Sequence, residues 1–433
     1  MYSSEGVPSI ILDLVIDALL SSMNPLPLEA LAVEENSVTR VEGCGLERRT
    51  FFNMSLVHPS WTDVARRGLW HTIVLRASEL VDLKVPVSAS NCIHTQELAV
   101  MLPDEDSPPA QACWANITRI LEYSPNIRFL YVDMCISAPA DAGSSSFIQQ
   151  LRTRVNLERI WFVGTMEGRL QDILISVSHL KNLKSLLFDT VHSDYERDGL
   201  PQDVGPPKEL ESLALVDLMD WSIVDWLTQP REDYKLVNLA ISLDEPEQVE
   251  EDSWASKKVV PCLPFLQTLD ISTTTTDPKS ECEIHAGLYH LLNHARSLRT
   301  FGMSVMSAIQ TPSLPLPSTI TSIRIHHDFT LNMLLRPDWT IVWQQDDGNI
   351  SSIISSLQPM ASSVSVTSQL RQLVLSFIQG DVGIIDEGSL TLLRDYAYPQ
   401  TYEACVRGGI SLSFRTYASP YFGALAESRT FVG

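Results

Sequence analysis

The chain has 433 residues, with 53 Asp and Glu against 31 Lys and Arg, a formal charge of −22. That excess of negative charge repels phosphate backbones and anionic lipid surfaces, so neither nucleic acid nor a membrane is expected as a partner. A content of 44% hydrophobic and only 19% charged residues excludes a disordered or coiled-coil chain.

Seven cysteines stand at 44, 92, 113, 135, 262, 282 and 405, scattered and never as C-x-x-C, so neither a disulfide framework nor a zinc module is expected. Free, mostly buried thiols of a reducing compartment are the plain reading. No basic residue precedes the first apolar run, which Asp13 and Asp17 interrupt, so it does not read as a signal peptide. No run of about 18 apolar residues occurs, and the expected location is cytoplasmic or nuclear.

In chain order, the first element is a helix whose apolar face is Val7, Ile11, Leu14, Val15, Ala18 and Leu19, with Pro8 in its first turn. Residues 24–50 are a polar, Glu- and Pro-containing interruption. A second helical stretch runs from Phe51 through Leu56, Val57 and Trp61 to Leu69, and residues 70–75 read as a strand.

From there a six-residue pattern, apolar-x-x-apolar-x-apolar, returns as Ile127-Leu130-Val132, Leu157-Ile160-Phe162, Leu183-Leu186-Phe188, Leu210-Leu213-Leu215 and Leu236-Leu239-Ile241. It continues as Leu266-Leu269-Ile271, Leu298-Phe301-Met303, Ile320-Ile323-Ile325 and Leu370-Leu373-Leu375, with a less regular copy at Thr95-Leu98-Val100. Segments with helical spacing lie between several copies: 112–123 (Trp114, Ile117, Ile120, Leu121), 170–180 (Ile173, Leu174, Val177, Leu180) and 284–295 (Leu288, Leu291, Leu292). Pro125-Asn126, Val155-Asn156 and Lys181-Asn182 mark where helices end before strands. Strand–helix units of this kind bury their core only by stacking on neighbours. Residues 346–369 are Ser-rich and read as a flexible excursion between the last two copies.

Over about residues 95–378 the units resemble irregular leucine-rich repeats. The resemblance implies an α/β solenoid, a curved parallel sheet with helices on its convex side. An ordinary doubly wound α/β domain is the alternative. The N-terminal order resembles an F-box followed by the first strand of a repeat domain. Val7-Pro8 stands for the usual Leu-Pro opening, Ile11-Leu12 with Val15-Ile16 and Leu19 for the first helix, and Leu56-Val57 with Trp61 for the Leu-Val-Cys-x-x-Trp signature. Ile10 departs from the usual Glu and His58 from the common Cys, and residues 24–50 are an insertion. The division is therefore a small all-α F-box-like domain over 1–76 and the repeats over 77–433. The resemblance implies docking on a Skp-type adaptor, and through it a cullin, by Pro8, Ile11, Leu12, Val15, Leu56 and Val57, with Trp61 locking the helices. The chain would then select a protein target for a ubiquitin ligase. A non-catalytic repeat scaffold, its N-terminal helices only capping the solenoid, is the other reading.

Catalytic and cofactor signatures such as G-x-x-x-x-G-K-[ST], G-x-S-x-G and H-E-x-x-H do not occur, so neither an enzyme nor a cofactor is expected. His326-His327-Asp328 reads as an exposed loop-edge pair whose rings point to opposite faces. Cys262, Cys282, His285 and His290 fit no zinc spacing, and Trp339 with Trp343, like Trp221 and Trp226, reads as packing. Residues 189–252 hold 18 acidic and 4 basic residues, either solvated loops or an acidic docking surface. The residue between the second and third apolar positions points to the concave face, giving in order Tyr131, Trp161, Leu187, Ala214, Ala240, Asp270, Gly302, Arg324 and Val374. An exposed Tyr131–Trp161–Leu187 patch is the expected target site, with Asp270 and Arg324 as polar contacts beyond it. A loop such as 77–94 folding over these residues is the alternative.

Overall fold

The computed structural model describes residues 61–75, 80, 89–101, 110–134, 142–164, 170–189, 204–216, 223, 226–227, 236–243, 265–273, 292, 295–304, 317–330, 340–357, 370–378, 387–417 and 431–432. The chain divides into two compact units, Met1–Leu200 and Pro201–Gly433. None of the described helices is long and apolar enough to cross a membrane.

In the first unit, helix α1 (Thr62–His71) runs directly into β1 (Thr72–Leu75). Then follow α2 (Ala89–Cys92), β2 (Glu97–Met101), α3 (Ala110–Tyr123), β3 (Phe129–Met134), α4 (Ala142–Arg152), β4 (Arg159–Gly164), α5 (Leu170–Ser178) and β5 (Ser185–Asp189). The strands are parallel and pair in sequence order, β1 to β5. In the second unit β6 (Ser212–Val216), β7 (Asn238–Leu243), β8 (Thr268–Thr273), β9 (Thr300–Ser304), β10 (Ser322–Thr330), β11 (Gln372–Ile378) and β12 (Ser411–Tyr417) do the same, and β13 (Phe431–Val432) closes antiparallel on β12.

Every predicted strand is present, and each begins two residues later than its apolar triplet. The first apolar residue (Ile127, Leu157, Leu183, Leu210, Leu236, Leu266, Leu298, Ile320, Leu370) sits buried in the turn before the strand. The second and third fill one face of the sheet, buried throughout from Leu130 and Val132 to Leu373 and Leu375. The period is enforced by a repeated backbone device, in which one carbonyl accepts from two successive amides of the next unit. Arg128 and Phe129 share Gln96 O at 2.7 and 3.0 Å, and Glu158 and Arg159 share Arg128 O at 2.8 and 3.0 Å. The same sharing recurs at Val237 O, Gln267 O, Arg299 O and Thr321 O.

The three asparagines foreseen at helix ends tie successive units side by side. Asn126 Nδ2 donates to Ile93 O at 2.8 Å, Asn156 Nδ2 to Pro125 O at 3.1 Å and Asn182 Nδ2 to Val155 O at 2.8 Å. Because these bonds lie at the surface, Asn156→Ala is expected to cost only about 1 kcal/mol, read as a small fall in denaturation midpoint with unchanged slope. A loss above about 3 kcal/mol would mean the turn itself has rearranged.

The predicted helical faces of 112–123 and 170–180 pack as read: Trp114, Ile117, Ile120 and Leu121 are buried, as are Ile173, Leu174, Val177 and Leu180. Trp114 meets Phe147 of α4 at 5.0 Å between ring centroids. Trp226 is buried, while the 284–295 helix (Leu292 and Ala295 apart) and the side chains of Trp221, Trp339 and Trp343 lie outside the described residues. The flexible excursion is corrected over its first half, because α6 (Thr340–Leu357) covers it. Ile350, Ile353 and Ile354 recur at helical spacing and are buried, while Ser352 and Ser355 lie on its exposed side. Beyond β11, α7 (Glu387–Leu392), a π turn (Leu393–Ala397) and α8 (Pro399–Gly408) lead to β12, with α6 packed on α8.

Candidate binding face

Each sheet has an apolar face and an opposite face, and the predicted target residues lie on the latter. In the first unit Tyr131, Trp161 and Leu187 are direct neighbours on β3, β4 and β5, as alternation requires. They are not exposed, however: 3%, 1% and 0% of their surfaces are accessible. The expected patch is therefore corrected to a second buried layer. Large side chains on strands about 4.8 Å apart pack on one another. Phe129 sets its ring against Trp161 at 5.4 Å and 80°, and Arg159 lays its guanidinium 4.9 Å from the Phe129 ring centre. A polar rim borders this layer, where Thr72 donates to Glu97 at 3.0 Å and Arg159 approaches Glu97 at 3.9 Å.

In the second unit the same face carries Asp270, Gly302 and Arg324 as neighbours on β8, β9 and β10. They too are corrected from open contact residues to a buried or half-buried charge cluster. The Asp270 carboxylate leans over Gly302, accepting from Arg324 Nη1 at 3.1 Å and from His326 Nε2 at 3.2 Å. Burial by itself would raise the Asp270 carboxyl, yet the His326 hydrogen bond and the Arg324 charge carry it below its usual value. Arg415 on β12 belongs to the same field: burial lowers its guanidinium, Arg324 lowers it further and Asp270 opposes both.

His326 and His327 point to opposite faces as predicted, but both are buried inside β10, not at a loop edge. His327 Nδ1 lies 3.3 Å from Ser376 O. A carbonyl only accepts, so Nδ1 carries the proton and Nε2 accepts from Tyr398 Oη at 2.8 Å. Burial pushes His327 down to about 3, and raises the Tyr398 hydroxyl well above its usual range. Beside them on α6, Asp347 accepts from Gln400 N at 2.9 Å and Thr401 N at 2.7 Å, capping α8, while burial raises Asp346 to about 7. Cys92, Cys113 and Cys405 are buried thiols outside any disulfide, the last pushed up to about 12 by burial. Among the described residues no three His, Cys, Asp or Glu side chains gather as metal ligands.

One row of the opposite face escaped the sequence reading. The residue just before the second apolar position is polar and uncharged in seven consecutive strands: Ser212, Asn238, Thr268, Thr300, Ser322, Gln372 and Ser411. Most are half-exposed, and some bond laterally, Asn238 to Ser212 at 2.9 Å and Ser322 to Gln372 at 3.4 Å. Hydroxyls and amides both donate and accept, so this row offers hydrogen bonds to a bound chain, not acid–base chemistry. Its signal was a recurring residue type at one repeat position. Of the adaptor-docking residues, Pro8, Ile11, Leu12, Val15, Leu56 and Val57 lie outside the described residues; Trp61 is half-buried immediately before α1.

No family model matches the chain, and no curated protein does. Among solved structures it is similar to an internalin of Listeria monocytogenes, 12% identical over 59% of this chain and 82% of that one, at a TM-score of 0.24. At that score the fold rests on the strand order and register alone.

Proposed function

We propose that this chain is a non-catalytic substrate-recognition subunit of a cullin-RING ubiquitin ligase. Residues 7–61 would dock a Skp-type adaptor, and the repeats would hold a protein target. What carries the reading is the passage from Trp61 through α1 straight into β1, the first strand of the ordered parallel repeats, joined to the F-box-like sequence before it. The half-exposed polar row of the second unit supplies groups to grip an extended segment of a target.

Deleting residues 1–60 leaves α1 and β1 in place, and is expected to abolish co-purification of the adaptor while the remainder stays folded. Leu56→Asp with Val57→Asp in the full chain is expected to do the same, since burying such side chains contributes about 1.5–3 kcal/mol each. Undiminished adaptor capture by either protein rejects the assignment. The scaffold reading is favoured by one observation, that α1, with Ala65 and Gly68 buried, lies against α2 beside the first strand, where a cap belongs. It expects no adaptor capture at all, and a fall in melting temperature on deletion.

A further inference from the structure

One edge of the first unit runs against the charge of the chain. Ile93, Pro125, Val155 and Lys181 stand one per turn along it, because the asparagine at each helix end reaches back to the turn before. Asn126 donates to Ile93 O, Asn156 to Pro125 O and Asn182 to Val155 O. All four residues of the row are exposed, Ile93 at 46% and Val155 at 64%, so an apolar strip leads to a lysine. A second row, Arg128, Glu158 and Lys184, is fixed in the same turns by the amide of each bonding to the carbonyl of the one before, at 2.8 Å. Glu158 accepts from Arg128 Nε at 2.9 Å and meets Lys184 Nζ at 3.8 Å, yet both cations stay more than half exposed.

The local charge is positive although the chain carries −22. The four turns, residues 89–98, 121–129, 150–159 and 178–185, hold six Lys and Arg against Glu97, Glu122 and Glu158. Each glutamate already faces a cation: Glu97 lies 3.9 Å from Arg159, Glu122 acts on Arg154, and Glu158 is shared between two. Arg152, whose Nε donates to the neutral Ser176 hydroxyl at 2.9 Å, and Lys181 pair with no carboxylate among the described residues. At the Ile93 end burial lowers the His94 imidazole, and Arg67 and Arg66 of α1 lower it further against Asp63. The surplus therefore holds along the whole edge. Four turns at about 4.8 Å span about 15 Å, the reach of four or five residues of an extended chain. Cations beside an apolar strip fit a short acidic segment with an apolar residue among its carboxylates. A nucleic acid fits worse, since Glu158 sits between two of the cations and the chain as a whole repels a polyanion.

We propose that this edge docks a short acidic segment of a partner protein, its carboxylates on Arg128, Lys181 and Lys184 and an apolar side chain on Val155. The surface lies outside residues 1–60, so it stands or falls separately from adaptor docking. The probe is a labelled synthetic peptide of about eight residues, glutamates around a central leucine pair. It is titrated with the full chain in ~0.05 M NaCl, where exposed charges are lightly screened. Lys181→Glu with Lys184→Glu is expected to weaken binding by at least about tenfold at unchanged melting temperature. Lys181→Ala with Val155→Ala, which adds no charge, is expected to weaken it by about threefold or more, and covers the case in which the charge reversal unfolds. Equal binding by wild type and the alanine variant overturns the proposal, as does no wild-type binding at about 1 mM peptide. Tighter binding of an oligothymidylate of the same charge also overturns it, since the edge would then be a general polyanion surface. So does a wild-type dimer that the charge reversal dissociates, which would make a second copy the occupant.

Discussion

Replacing Gly302 with alanine is expected to destabilise the second unit by about 3–5 kcal/mol, the cost of breaking a buried ion pair. A Cβ at this position would lie 1.5 Å from Asp270 Oδ1, 2.6 Å from its Cγ and 2.8 Å from His326 Nε2. The space a side chain would take on β9 is filled by the carboxylate reaching from β8 to β10. The carboxylate must move to clear that overlap, and moving it loosens its bonds to Arg324 and His326 unless the strands part instead. Denaturant unfolding of the full chain measures the loss. A second variant locates its cause: in an Asp270→Ala background the carboxylate is gone, and adding Gly302→Ala should cost under about 1 kcal/mol, as for a glycine-to-alanine change with room for the methyl group. If Gly302→Ala unfolds at the wild-type midpoint, the close approach is not a feature of the folded protein. Equal cost in both backgrounds would move the cause from the carboxylate to the β9 backbone.

That cluster also marks the limit of what the sequence carries. Alternation within a strand placed Asp270, Gly302 and Arg324 on one face, because side chains in a strand repeat every two residues. It did not join them, since the contact spans three strands and 54 residues. The strands themselves were legible because their apolar pairs recur in near-register. β12 was not, since Gly409, at φ +66°, takes the place of the first apolar residue and Ile410 is buried beside it. Serines hid α6 in the same way, since a count of polar residues outweighs three isoleucines unless their spacing is read. Tyr131, Trp161 and Leu187 were assigned the correct face and the wrong exposure. A strand pattern tells which side chains share a side, and nothing about what is packed against it.

Asp346→Asn is expected to change the pH dependence of stability in a way that wild type conceals. Burial holds the Asp346 carboxyl at about 7, against about 3.9 in an unfolded chain. Between those values the folded protein keeps a proton that the unfolded chain has lost, so this group's contribution is full below pH ~4 and is lost as pH rises to ~7. His327 acts in the opposite sense. It is held neutral down to about 3, while an unfolded histidine protonates below ~6.5, so its contribution falls as pH is lowered from ~6.5. Across pH ~4–6.5 the two slopes, about 1.4 kcal/mol per unit each, nearly cancel in wild type. Asparagine removes one of them. The stability difference, variant minus wild type, should then grow in favour of the variant from pH 4 to pH 7, by up to about 4 kcal/mol. Every other titrating group cancels in that difference, including Asp270, whose lowered carboxyl matters only below the window. Tyr398 and the cap from Asp347 to α8 adjoin the site and stay in place, so the α6–α8 contact should survive the change. Thermal melts of the two full-length proteins at half-unit steps would read the difference directly. A flat difference would show that Asp346 is ionised in the folded protein, and a shrinking one that asparagine leaves a worse-matched polar group than the protonated acid it replaced.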